Sequence, residues 1–87
     1  VPERRVTVAF AEGLHARPAA LFVKLAGSQP VPVTIAKDGA AAQPASSILS
    51  VMALGAKQGD EVVLAAEGAE AGAALDALEA FLTTSEP

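Results

Sequence analysis

An α+β fold, with three helices on one side of a four-stranded, largely antiparallel sheet, is predicted by the order of hydrophobic periodicities along the chain. Segments patterned as strands and helices succeed one another as strand, helix, strand, strand, helix, strand, helix. Between the two consecutive strands, Asp38-Gly39 carries a strong two-residue hairpin signal. The 87 residues hold no internal repeat and predict one domain spanning residues 1–87. The same order also suits a ferredoxin-like ligand-binding domain, so the fold pattern alone does not choose a function.

Each element has a local reason. Arg5 to Phe10 alternates with period two, placing Val6, Val8 and Phe10 on one face of a half-buried strand. Ala11 to Leu14 form a loop, and a helix follows from Ala16 to about Ala26. That helix is too apolar for one buried stripe, so Leu21, Leu25 or Ala20 must touch another element or lie exposed as a contact surface. Gly27-Ser28 ends it, and Val31 to Lys37 reads as a second strand with Pro32 near its start. After the hairpin, Ala40 to Gln43 is a short returning strand, and Pro44 marks a break. Ser46 or Ser47 caps a short helix from about Ile48 to Leu54, which Gly55 stops. Glu61 to Ala66 is a buried strand, and Gly68 turns the chain into a last helix. There Ala71, Ala74, Leu75, Leu78, Phe81 and Leu82 recur at helical spacing, while Glu70, Asp76 and Glu79 read as a solvated face.

Composition excludes several classes of function. A net charge of −4, six basic residues and three Phe as the sole aromatics argue against nucleic acid as the main partner. The absence of cysteine removes disulfides and thiolate metal sites, and points to the cytoplasm. A single histidine leaves no cluster for a metal centre. No stretch is long enough to span a bilayer, and the start of the chain does not read as a signal peptide. Chemistry here must be metal-free or borrowed from a partner.

The segment Gly13-Leu14-His15-Ala16-Arg17-Pro18-Ala19 places that histidine where a loop turns into a helix. Gly13 permits a turn that a Cβ would resist, and Pro18 is tolerable only in a first helical turn. The helix therefore begins at about Ala16, with His15 as cap. A first turn leaves N–H groups unpartnered, and the peptide dipoles add partial positive charge, so anions bind there. The helix terminus and the Arg17 guanidinium both disfavour a second proton on the imidazole, which predicts a neutral, nucleophilic His15 near pH 7. A phosphoryl group on His15 would accept hydrogen bonds from the Ala16 and Arg17 amides and from the Arg17 side chain. Position alone makes such a histidine an ordinary polar cap.

The order of residues in this segment resembles the active-site signature of the histidine-containing phosphocarrier proteins (HPr) of the bacterial sugar phosphotransferase system. Ser47-Ile48-Leu49-Ser50-Val51-Met52-Ala53-Leu54-Gly55 is similar to that family's second helix, including a serine at its start. Gly68-Ala69-Glu70 followed by Ala74-Leu75-Asp76-Ala77-Leu78-Glu79 resembles the start and core face of its last helix. The likeness implies an open-faced β-sandwich. It also implies that phosphorylated enzyme I donates a phosphoryl group to Nδ1 of His15, which passes it to a histidine of a sugar-specific IIA domain, with Arg17 stabilising the transferring oxygens. Such a chain needs no cofactor, is a carrier consumed and regenerated rather than an enzyme, and is most simply a monomer.

By the same resemblance Ala16, Ala20, Lys24, Leu49 and Met52 fall on the family's docking face, and Leu21 joins it through the surplus-apolar argument. Three apolar residues on a short helix would otherwise be assigned to the core. Ser47 corresponds to the serine that an ATP-dependent kinase phosphorylates in many Gram-positive members, which adds serine kinase/phosphorylase enzymes and transcriptional regulators to the implied partners. The ordinary role of a serine there is a cap contributing about 1 kcal/mol. Two other readings stand beside this one: a specialised carrier serving a nitrogen-related or dihydroxyacetone phosphorylation relay, and a noncatalytic ligand-binding or regulatory module.

Overall fold

The computed structural model describes residues 3–9, 16–37 and 39–83. It contains β1 (Glu3–Thr7), α1 (Ala16–Gly27), β2 (Val33–Lys37), β3 (Gln43–Pro44), α2 (Ile48–Ala53), β4 (Glu61–Ala66) and α3 (Ala71–Leu82), in the predicted order. The strands form one sheet in the order β1-β4-β2-β3. All three pairings are antiparallel, with Glu3↔Ala65 to Thr7↔Glu61 joining β1 to β4, and Val33↔Ala66 to Lys37↔Val62 joining β2 to β4. β4, the last strand in the chain, thus lies between β1 and β2 and pairs with both.

Alternation decides which face is covered. Val6 in β1, Val33 and Ile35 in β2, and Val62, Leu64 and Ala66 in β4 are buried, while their strand neighbours are partly or fully exposed. Helix α3 packs on β1 and β4, α1 packs on α3, and α2 packs on α1 and β3. Ala19, Phe22 and Ala26 of α1 meet Ala71, Ala74, Leu75, Leu78 and Leu82 of α3 in one apolar cluster with the sheet. The Phe22 and Phe81 rings lie tilted, 6.2 Å between centroids. Among the described residues no polar side chain is buried, and no helix is long and apolar enough to cross a membrane.

Several boundaries differ from expectation. β1 ends at Thr7, although Val8 beyond it stays buried; Phe10 lies outside the described residues, as does Asp38 of the hairpin. β2 starts at Val33 rather than Val31, after Pro32, which has no N–H to offer the ladder. The returning strand is the pair Gln43–Pro44 instead of Ala40 to Gln43. Alanines hold a strand weakly, and Pro44 is accepted because β3 is an edge, paired only with β2 through Thr34↔Pro44 and Ile35↔Gln43. Asp76 and Glu79 do more than face solvent. The Arg4 guanidinium bonds both, 2.7 Å to Asp76 Oδ1, tying β1 to α3.

Helix ends follow local chemistry. The Leu25 carbonyl at the end of α1 accepts from Ser28 Oγ at 2.7 Å and Gln29 Nε2 at 3.1 Å. Ser47, not Ser46, caps α2, its Oγ accepting the Ser50 N–H at 3.3 Å. Gly55, at φ +66°, then takes the left-handed conformation that stops α2.

Candidate functional site

Residues Ala16 and Arg17 open α1 as predicted, with Arg17 exposed and Pro18 and Ala19 buried behind it. His15 and Gly13 lie outside the described residues. At 100° per residue, the inward direction of α1 runs through Pro18, Ala19, Phe22 and Ala26. Arg17, Ala20 and Lys24 therefore fall together on the opposite, solvent side, and Leu21 lies at its margin, 38% exposed. Leu25 is instead partly buried against the core.

Helix α2 has only six residues and sends one side chain, Val51, into the core. Leu49 is about 160° around the helix from Val51, which is why it stands 79% exposed. Met52 and Ile48 flank Val51 on one side and remain 44% and 37% exposed. These three and Leu21 are the large apolar side chains exposed among the described residues, and all sit on two helices that pack against each other. Two turns of helix cannot hide three apolar residues besides Val51, so the patch is a property of the fold. Grouped exposed apolar side chains are a common feature of surfaces that meet other molecules. Lys24 and Arg17 supply the positive charge on the same helix pair.

The chain is also held firmly just before the histidine segment. Val8 donates its N–H to the Asp60 carbonyl at 2.9 Å and accepts from Gly59 N–H at 2.9 Å. Ala9 donates to the Leu82 carbonyl at 3.0 Å, and its own carbonyl accepts from Gln58 Nε2 at 3.2 Å. The turn that supplies Gln58, Gly59 and Asp60 is closed by Asp60, whose carboxylate accepts the Lys57 N–H at 2.9 Å and pairs with Lys37 Nζ at 3.3 Å. The Lys57 amide first, and Lys37 second, hold the Asp60 carboxyl below its ordinary pKa.

A family model described as the PTS HPr component phosphorylation site matches residues 2–84. The chain belongs to the HPr phosphocarrier family. This HPr-family chain is 59% identical over 71 residues to the phosphocarrier protein HPr of Streptomyces coelicolor, covering 79% of the chain and 76% of the relative. It is 47% identical to the phosphocarrier protein HPr of Haloferax volcanii, across 97% of the chain and 96% of the relative. A crystal structure of a phosphocarrier protein HPr from Bacillus anthracis superposes with a TM-score of 0.87 at 40% identity, over 93% of this chain and 95% of that one. The four-stranded antiparallel sheet with three helices is thus the HPr fold, and the chain is a phosphocarrier of the phosphotransferase system.

Two residues, one on the apolar face and one at the turn before β4, were not assigned these places from the sequence. Ile48 has the same spacing signal as Met52 and belongs to the exposed patch with it. Gln58 had no signal, because its partner, the Ala9 carbonyl, is 49 residues away in the chain.

Proposed function

We propose that the chain carries its phosphoryl group on Nδ1 of His15, taking it from phosphorylated enzyme I and giving it to a histidine of a sugar-specific IIA domain. In each step the bond from phosphorus to the donor breaks as the bond to the acceptor nitrogen forms, with the two in line. Docking supplies the alignment. Arg17, exposed in the first turn of α1, stabilises the transferring oxygens, and the Ala16 and Arg17 N–H groups, for which a helix start offers no intrahelical acceptor, donate to them as well. Leu21, Leu49 and Met52, together with Ala16, Ala20 and the cations Arg17 and Lys24, form the face on which acidic partners dock and from which they leave quickly. The observation that carries this reading is the exposed apolar group on α1 and α2 beside Arg17, in a chain matched by a phosphorylation-site family model.

The chain acts as a stoichiometric carrier in the cytoplasm, regenerated in each cycle, and presents this one face as a monomer. Incubation with enzyme I and labelled phosphoenolpyruvate is expected to give acid-labile, base-stable label that His15→Ala abolishes. Label persisting in that variant would falsify the assignment. A panel of IIA acceptors then separates a general sugar carrier from a specialised relay.

Ser47 is the proposed regulatory site. It starts α2 at the edge of the apolar face, and relatives at 40% identity over 92% of this chain include the HPr-like protein Crh of Bacillus subtilis, a catabolite repression protein. A phosphate on Ser47 would add roughly −1.5 to −2 charge beside that face and weaken docking. An ATP-dependent HPr kinase should label the parent and not Ser47→Ala; equal labelling of both would remove the proposal.

A further inference from the structure

We propose that Gln58 is a positioning residue for phosphoryl transfer, its side-chain amide fixing the point at which the chain leaves the sheet for the histidine segment. The inference rests on the reading of His15 as the carrier. β1 stops pairing with β4 at Thr7↔Glu61, yet the next two residues are still held through four hydrogen bonds. Both backbone groups of Ala9 are bound by elements other than its strand partner, the N–H by the end of α3 and the carbonyl by Gln58. Gln58 provides the one side-chain bond of the four, so it is the one that substitution can remove.

Its own base is rigid. The turn is closed by the Asp60 carboxylate on the Lys57 N–H and by Gly59 at φ +88°, which allows the chain to reverse there. His15 follows Ala9 by six residues and immediately precedes α1, whose Pro18 and Ala19 are buried. The segment thus spans two fixed points. Releasing the first loosens the point from which the histidine segment starts, and in-line transfer tolerates little loss of alignment. Gln58 is exposed, so its replacement opens no core cavity.

The rate at saturation should fall while partner affinity holds. With enzyme I as donor and this chain as varied acceptor, Gln58→Met keeps the length but loses the donor. It should lower kcat by roughly 3- to 10-fold, the factor for one hydrogen bond, with KM within about twofold of the parent. Gln58→Lys, which restores an N–H donor, should recover kcat. An unchanged kcat in Gln58→Met, a rise in KM alone, or a Gln58→Lys as slow as Gln58→Met would each overturn the role. His15→Ala run in parallel keeps the two questions apart: label in that variant sinks the carrier reading, whereas its loss beside an unaltered Gln58→Met sinks only the positioning role.

Discussion

Ser47 and Asp60 each close a turn with one side-chain oxygen, and each makes a measurable contribution. Ser47 Oγ satisfies one N–H that α2 would otherwise leave to water. Ser47→Ala should destabilise the fold by ~0.5–1 kcal/mol in chemical denaturation, the low end for an N-cap because the bond is long at 3.3 Å. Asp60 has its carboxyl pKa lowered in the folded chain, so its contribution is complete above the unfolded value near 3.9 and is lost as pH falls through the lower folded value. Asp60→Asn should therefore be less stable than the parent at neutral pH, and the gap should close as acid is added below about pH 4. A gap independent of pH would mean the side chain acts without its charge. At this scale the sequence was half legible. It offered Ser46 and Ser47 equally, since the two differ by one residue and only the chain's entry angle into α2 selects between them.

Elements were read from their periodicity, which works where one face is buried and the other is wet. β4 has the boundaries expected of it, and α1 and α3 run close to theirs. Helix α2 is the informative case, because Val51 and Leu49 are both apolar and only packing distinguishes them. Val51→Ala should cost ~2 kcal/mol through lost burial and a residual cavity, whereas Leu49→Ala should change stability by less than ~0.5 kcal/mol. Paired thermal melts test this. Leu49→Ala should instead weaken binding to enzyme I or a IIA domain, read by titration calorimetry; a large loss of stability would return Leu49 to the core. β3 was the least legible element. Its alanine-rich approach has little strand preference, and an edge of two residues is defined by its partner β2 more than by itself.

In the whole molecule, stability comes from one apolar layer between the sheet and three helices. Leu78 is fully buried in it, so Leu78→Ala should cost about 2–5 kcal/mol, a large part of the total for a domain of this size. Urea denaturation should show a lower midpoint with an unchanged slope. The sequence by itself determined the element order, the inward faces of β1 and α3 and the peculiarity of the histidine segment, because periodicity, capping and turn chemistry act within a few residues. Tertiary structure alone decided that β4 lies between β1 and β2, that Arg4 reaches Asp76 and Glu79, and that Gln58 reaches Ala9. Those contacts join residues far apart in the chain. Local propensity carries no information about them; they exist because burying one shared face leaves few ways to stack the elements, and side chains at the seams then find whatever polar groups that stacking brings near.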